Sequence, residues 1–288
     1  MLRLWRSFFV VLLAAFVAAG CSPTRVLNAL ADTGSSRLTT GIAYGDDPRQ
    51  KLDLYVPTKG SGPYPVVMFT YGGSWNSGTR AEYRFVGDAL ASRGVLVIIA
   101  DYRLYPQVRY PEFLEDGAHA VAWTFANARI HGGDPSRIYV MGHSAGGYNA
   151  AMLALDPRWL AAVGISTKSL AGFIGLAGPY DFLPIGDPAV QPVFFHPNSP
   201  PESQPMRRAG PDSPRSFLAA PENDQIVDAE RNTHQLATKL AASGVAVTYK
   251  RYPGVSHESL IGAMGSPLRW LAPVLDDIGE FIRSDGRS

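Results

Sequence analysis

The chain has 288 residues, 46% of them hydrophobic and 18% charged, enough apolar material for one sizeable core. Its 26 Lys and Arg against 25 Asp and Glu leave a formal net charge of +1, and no basic run interleaved with aromatics occurs, which argues against a nucleic-acid partner. The 29 Gly and 23 Pro act as turn punctuation rather than gathering into low-complexity tracts, so neither a disordered nor a fibrous chain fits.

The first twenty residues differ from the rest. Arg3 and Arg6 supply a positive start, Ser7 to Ala19 are almost all apolar, and small residues lead to Cys21, the only cysteine. Such a segment reads as an export signal at residues 1–20, too short for a transmembrane helix. Ala18-Ala19-Gly20-Cys21 resembles a bacterial lipoprotein cleavage box. That resemblance implies an exported protein lipidated at Cys21 and held at a membrane, with Ser22 favouring the outer membrane or cell surface. A secreted or periplasmic protein with an incidental cysteine is the alternative. Residues 21–37 would then be the lipidated end and a flexible tether, and residues 38–288 a single domain.

Within that domain the elements alternate. Residues 50–57 repeat with period two and stop at Pro57, as a half-exposed strand does, whereas 64–70 is uniformly apolar, as in a strand covered on both faces. A helix is expected over 79–93 with Phe85, Val86 and Leu90 on one side, ended by Gly94. Strand 95–100, helix 112–129, strand 137–141 and helix 144–154 follow. Strands near 173–177 and 216–219, helix 225–242, strand 245–251 and helix 269–283 complete the pattern. Strand–helix alternation means crossover connections and a mostly parallel sheet with helices on both faces, an α/β fold. Residues 183–213 interrupt it with seven prolines between 184 and 205 and another at 211, an irregular excursion over the carboxyl ends of the strands that would shape a pocket.

Gly142-His143-Ser144-Ala145-Gly146 fits G-x-S-x-G between a strand and a helix. A reversal that sharp strains the serine backbone, and glycines keep Cβ atoms out of its flanks. The turn would expose Ser144 as a nucleophile at a helix amino end, where the Ala145 N–H can bind a developing oxyanion. Upstream, Tyr71-Gly72-Gly73-Ser74-Trp75 follows the second buried strand, and the N–H groups of Gly73 and Ser74 would complete the oxyanion hole.

These stretches, with Asp101-Tyr102-Arg103-Leu104, Asp116 to Trp123, Asp134-Pro135-Ser136-Arg137-Ile138 and Gly147, resemble the α/β-hydrolase family. The likeness is greatest to its hormone-sensitive-lipase-like, feruloyl-esterase-like and kynurenine-formamidase-like carboxylesterases, and runs from about residue 42 to 284. It implies a sheet of about eight strands, mostly parallel. The family's glycine loop usually opens with His; here Tyr71 stands in its place.

A serine nucleophile needs a neutral imidazole as base and a carboxylate to fix its tautomer. In this fold the order is Ser, acid, His, so the base is among His196, His234 and His257. His257, in a loop after the last strand, is the expected base; His234 lies inside a helix and His196 in the excursion. Asp224, between the penultimate strand and its helix, is the expected acid, with Glu222 and Asp228 as rivals. Asp181, Asp101 and Asp116 read as loop braces, the last two partnered by Arg103 or backbone amides. The expected reaction is hydrolysis of a small-molecule acyl ester through an acyl-enzyme, with no cofactor or metal. Arylformamide hydrolysis and a catalytically silent binding module are the alternatives.

Overall fold

The computed structural model describes residues 23–31 and 34–284. Eight strands form one sheet in the order β1-β2-β4-β3-β5-β6-β7-β8. They are β1 (Ser36–Ala43), β2 (Lys51–Pro57), β3 (Tyr64–Thr70), β4 (Leu96–Ala100), β5 (Gly133–His143), β6 (Gly172–Leu176), β7 (Ser216–Pro221) and β8 (Val247–Tyr252). β2 is antiparallel to both of its neighbours, and every other pairing is parallel. This is the α/β-hydrolase fold with the eight-stranded, mostly parallel sheet that the sequence implies.

Alternate side chains of β3 go to opposite layers, which explains why its sequence is apolar throughout. Val67 and Phe69 join one core with helices α2 (Arg84–Ala91) and α8 (Val274–Arg283), whereas Val66 and Met68 join the other. Helices α3 (Glu112–Asn127), α4 (Ala145–Leu155), α5 (Pro157–Ala161) and α6 (Gln235–Ala242) contribute to that second layer through Val121, Leu153, Leu160 and Leu240. The helix expected over 79–93 opens as a tight 3₁₀ turn at Arg80–Tyr83 before α2 begins. Arg80 is tied there by its Nε to Asp53 Oδ1 at 2.7 Å and by its guanidinium to Asp101. The helix expected over 225–242 likewise starts late, after a wide π turn at Glu230–His234.

The segment expected as an unpacked tether carries structure. Helix α1 (Pro23–Leu30) buries Leu27 in the first core, while Asn28 donates to the Ala81 carbonyl and accepts from the Phe85 N–H. Strand β1, absent from the sequence reading, pairs along β2 with an irregularity between Thr39 and Ile42, where the Gly41 N–H bonds Asp53 Oδ1 at 2.8 Å. Residues 183–213 hold only three short 3₁₀ turns, yet they bury Ile185, Val193 and Phe194. Residues 1–22, which include the expected signal and Cys21, lie outside the described residues.

Candidate active site

β5 delivers the chain to Ser144 through Ile138–Met141, all buried. Ser144 takes φ 56° and ψ −127°, a left-handed conformation that costs a non-glycine residue on the order of 1–3 kcal/mol. The turn is over-determined by its neighbours. A Cβ on Gly142 would lie 2.0 Å from the Gly146 carbonyl oxygen, and one on Gly146 would lie 2.1 Å from the Thr70 carbonyl oxygen. The Ser144 N–H donates to the Leu176 carbonyl at 2.9 Å, so β6 pins the elbow from the other side. Ser144 caps α4 and is the one residue of 141–150 that is not buried. Ala145 opens the helix, where first-turn N–H groups have no intrahelical partner.

The glycine loop leaves β3 beside this elbow: a Cβ on Gly72 would come within 2.9 Å of Ser144 Cβ. Gly73, Ser74 and Trp75 all have positive φ (127°, 51° and 57°), and the Gly73 carbonyl accepts from the N–H groups of Asn76 and Ser77 at 3.0 Å each. Consecutive residues of this kind turn backbone N–H groups toward one concavity. Trp75 locks the loop to α4, donating its Nε1–H to Asn149 Oδ1 at 2.9 Å, and packs edge-on against Tyr148 and Phe194.

Behind the loop, Tyr71 occupies the family's usual histidine position with a network of its own. Its hydroxyl donates to Asp101 Oδ1 at 2.6 Å and accepts from Arg49 Nη2 at 2.9 Å. Its carbonyl accepts from the Tyr102 hydroxyl at 2.9 Å, and its ring stacks on Tyr83 and Tyr102. Burial, reinforced by Asp101, pushes the Tyr71 hydroxyl well above the ordinary tyrosine range, so it remains a donor.

At the carboxyl ends of β7 and β8, two loops bring Asp224 and His257 together, with His257 Nδ1 2.8 Å from Asp224 Oδ2. Both side chains are closed off from solvent. Asp224 Oδ1 accepts from the N–H groups of Ile226 and Val227 at 2.9 and 3.0 Å. Burial alone would raise the Asp224 carboxyl, but the His257 hydrogen bond and charge and those two N–H groups outweigh it and hold the carboxyl below its usual range. His257 begins α7 (His257–Gly262), whose N-cap Ser256 and Ser259 satisfy each other's backbone in a capping box. The His257 Nε2 is buried and makes no hydrogen bond among the described residues.

The rival residues stand elsewhere. Glu222 and Asp228 are exposed; Asp228 caps the Arg231 N–H at 2.9 Å. His234 pairs with Glu230 and stacks on Tyr249, and His196 is exposed on the excursion. Asp181 receives Arg231 Nε at 3.1 Å. Asp116 grips Arg103 through both carboxylate oxygens, whereas Asp101 takes the other expected kind of partner, the Arg80 backbone N–H at 2.6 Å, together with the Arg80 guanidinium. Among the described residues, no three His, Cys, Asp or Glu side chains gather as metal ligands would.

Ser144, Ser74, Trp75 and Ala145 open onto a cavity of about 400 Å³, walled also by Phe182, Ile185 and Val190 and edged by Asp181, Asp228 and Arg231. Sequence reasoning missed one residue of this region. His143, the variable position before the nucleophile, places Nε2 2.9 Å from the His257 carbonyl oxygen, and only its adjacency to Ser144 hinted at a role.

Residues 52–188 match the family model for BD-FAE. Over 250 residues the chain is 31% identical to "Esterase LipC" of Mycobacterium tuberculosis, covering 78% of this chain and 61% of that protein. Over 158 residues it is 38% identical to "Probable isoprenylcysteine alpha-carbonyl methylesterase ICMEL1" of Oryza sativa subsp. japonica, covering 53% of this chain and 37% of that one. In both, the match spans less than two-thirds of the relative's own length. A solved "ESTERASE B from LACTOBACILLUS RHAMNOSIS", 20% identical, superposes with a TM-score of 0.75 over 97% of this chain and 95% of its own, a likeness of fold. These comparisons correct the expectation of a lipid-anchored protein with a membrane partner. What they match is a globular esterase domain, and among the described residues no helix is long and apolar enough to cross a membrane.

Proposed function

We propose that this chain, a homologue of the serine carboxylesterases of the α/β-hydrolase superfamily, hydrolyses small carboxylic esters through an acyl-enzyme on Ser144. The observation that carries the reading is the buried 2.8 Å pair of His257 Nδ1 and Asp224 Oδ2, at the strand ends that also present Ser144. Asp224 fixes the tautomer with the proton on Nδ1, leaving Nε2 free to take the Ser144 proton. The serine oxygen then bonds to the acyl carbon, and the carbonyl oxygen gains charge within reach of the Gly73, Ser74 and Ala145 N–H groups. His257 returns the proton to the departing alkoxide. Water attacks the acyl-enzyme with the same histidine as base, releasing the acid and restoring Ser144. A cavity of about 400 Å³ with aromatic and aliphatic walls suits a short acyl or alcohol group.

The test is hydrolysis of p-nitrophenyl acetate beside N-formylkynurenine, by wild type and Ser144→Ala. Turnover of the ester, falling by roughly 10³-fold or more in the variant, is the expected result. Preference for the formamide would move the assignment to an arylformamidase. Equal ester turnover by the variant would remove Ser144 from the mechanism.

A further inference from the structure

We propose that His143 is a positioning residue, tying the backbone of the base His257 to the nucleophile turn and so setting the span between Ser144 and the His257 imidazole; the inference rests on the triad reading above. His143 is the last residue of β5, directly bonded to Ser144, so its side chain leaves from the strand end that carries the nucleophile. It is 4% exposed. Its Nε2 lies 2.9 Å from the His257 carbonyl oxygen, and the two rings stand 4.8 Å apart between centroids.

A carbonyl oxygen can only accept, so Nε2 must carry the hydrogen. In a neutral ring Nδ1 is then bare, and it is buried without a hydrogen-bond partner among the described residues. Burial, with the neighbouring His257 adding to it, lowers the His143 pKa to about 3, so the ring is neutral wherever an esterase works and its donor is always present. The glycine loop closes the other side: a Cβ on Gly72 would lie 3.1 Å from the His143 carbonyl oxygen and 3.5 Å from Nδ1. One imidazole therefore touches the backbone of the base, adjoins the oxyanion loop and is covalently next to the nucleophile. Asp224 on its ring and the capping box on its helix also restrain His257, and neither of these connects it to Ser144. His143 supplies that connection. Misplacing a reacting group by about 1 Å can cost roughly 10²-fold in rate, so the donor should register in kcat more than in substrate affinity.

The experiment compares His143→Gln, whose amide N–H can reach the same carbonyl, with His143→Met, of nearly the same shape and no donor. The expected result is a kcat roughly 30-fold below wild type for Met with KM within about twofold, most of the loss recovered by Gln, and fluorophosphonate labelling of Ser144 slowed in parallel. Equal kcat for the two variants would overturn the inference, while unchanged labelling of wild-type Ser144 would leave the esterase reading intact. Absence of any wild-type labelling would overturn both. The unmodified enzyme gives a reading that needs no variant to fold. Histidine ¹⁵N spectra should show His143 protonated at Nε2 and bare at Nδ1 from pH 5 to 9, and the opposite tautomer, or a ring that titrates there, would refute the contact.

Discussion

Replacing Asp224 by Asn changes one atom, and the surroundings dictate how the amide must sit. Oδ1 of Asp224 accepts from two backbone donors, the N–H groups of Ile226 and Val227, while Oδ2 faces His257 Nδ1 at 2.8 Å. In the variant, turning NH₂ toward Ile226 and Val227 would set donor against donor twice in a buried place, so the amide oxygen stays there and Nδ2 faces the imidazole. An N–H can only donate, so His257 must present Nδ1 as an acceptor and carry its proton on Nε2. That is the tautomer unable to take a proton from Ser144. The expected loss in kcat is about 10³- to 10⁴-fold, or about 4–5.5 kcal/mol at 1.36 kcal/mol per tenfold. Asp181→Asn is the control. Asp181 also edges the pocket, but its partner is Arg231 Nε at 3.1 Å and its side chain is 35% exposed. Weakening a partly exposed pair of that kind is worth less than about 1 kcal/mol, a rate change of a few-fold at most. Steady-state kinetics on p-nitrophenyl acetate, with melting curves for both variants, makes the comparison. A steeper fall for Asp181→Asn than for Asp224→Asn would move the acid to the β6 loop.

Two further outcomes follow from the same geometry. Tyr71→Phe leaves Asp101 and Arg49 each short of a buried partner, which should cost about 1–3 kcal/mol and lower Tm by roughly 3–10 °C in calorimetry; because the Gly73 and Ser74 backbone remains, kcat should fall by less than about tenfold. The Asp224 carboxyl is held below its ordinary value, so its contribution to stability is present above the unfolded carboxylate value of about 3.9 and is lost as pH falls through the lower folded value. The Tm advantage of wild type over Asp224→Asn should therefore shrink below about pH 4, and an advantage that grew on acidification would contradict the pairing.

The sequence was most legible where one local rule acted alone. Tyr64–Thr70 is uniformly apolar because both layers cover it, and its bounds match β3. The G-x-S-x-G turn was readable because steric crowding at Gly142 and Gly146 leaves no room for a side chain. Legibility failed where tertiary contacts decide. β1 is an edge strand with an irregular half-exposed pattern, held by pairing to β2, so no periodicity announced it. Residues 22–37 read as tether because they are small and polar, yet Leu27 and Asn28 suffice to dock a helix on α2. Asp101 meets the expected backbone N–H, that of Arg80, but the guanidinium beside it is also that of Arg80 and not of the nearby Arg103. The contact of His143 with the His257 carbonyl joins residues 114 apart and has no local signature.

Whether Ser144 is the nucleophile is decided by an active-site-directed fluorophosphonate followed by peptide mass spectrometry. One adduct is expected, on the peptide containing Gly142-His143-Ser144-Ala145-Gly146, formed in step with loss of esterase activity and absent from Ser144→Ala. Inactivation with the adduct on another residue, or full labelling of the Ser144→Ala protein, would contradict that role for Ser144.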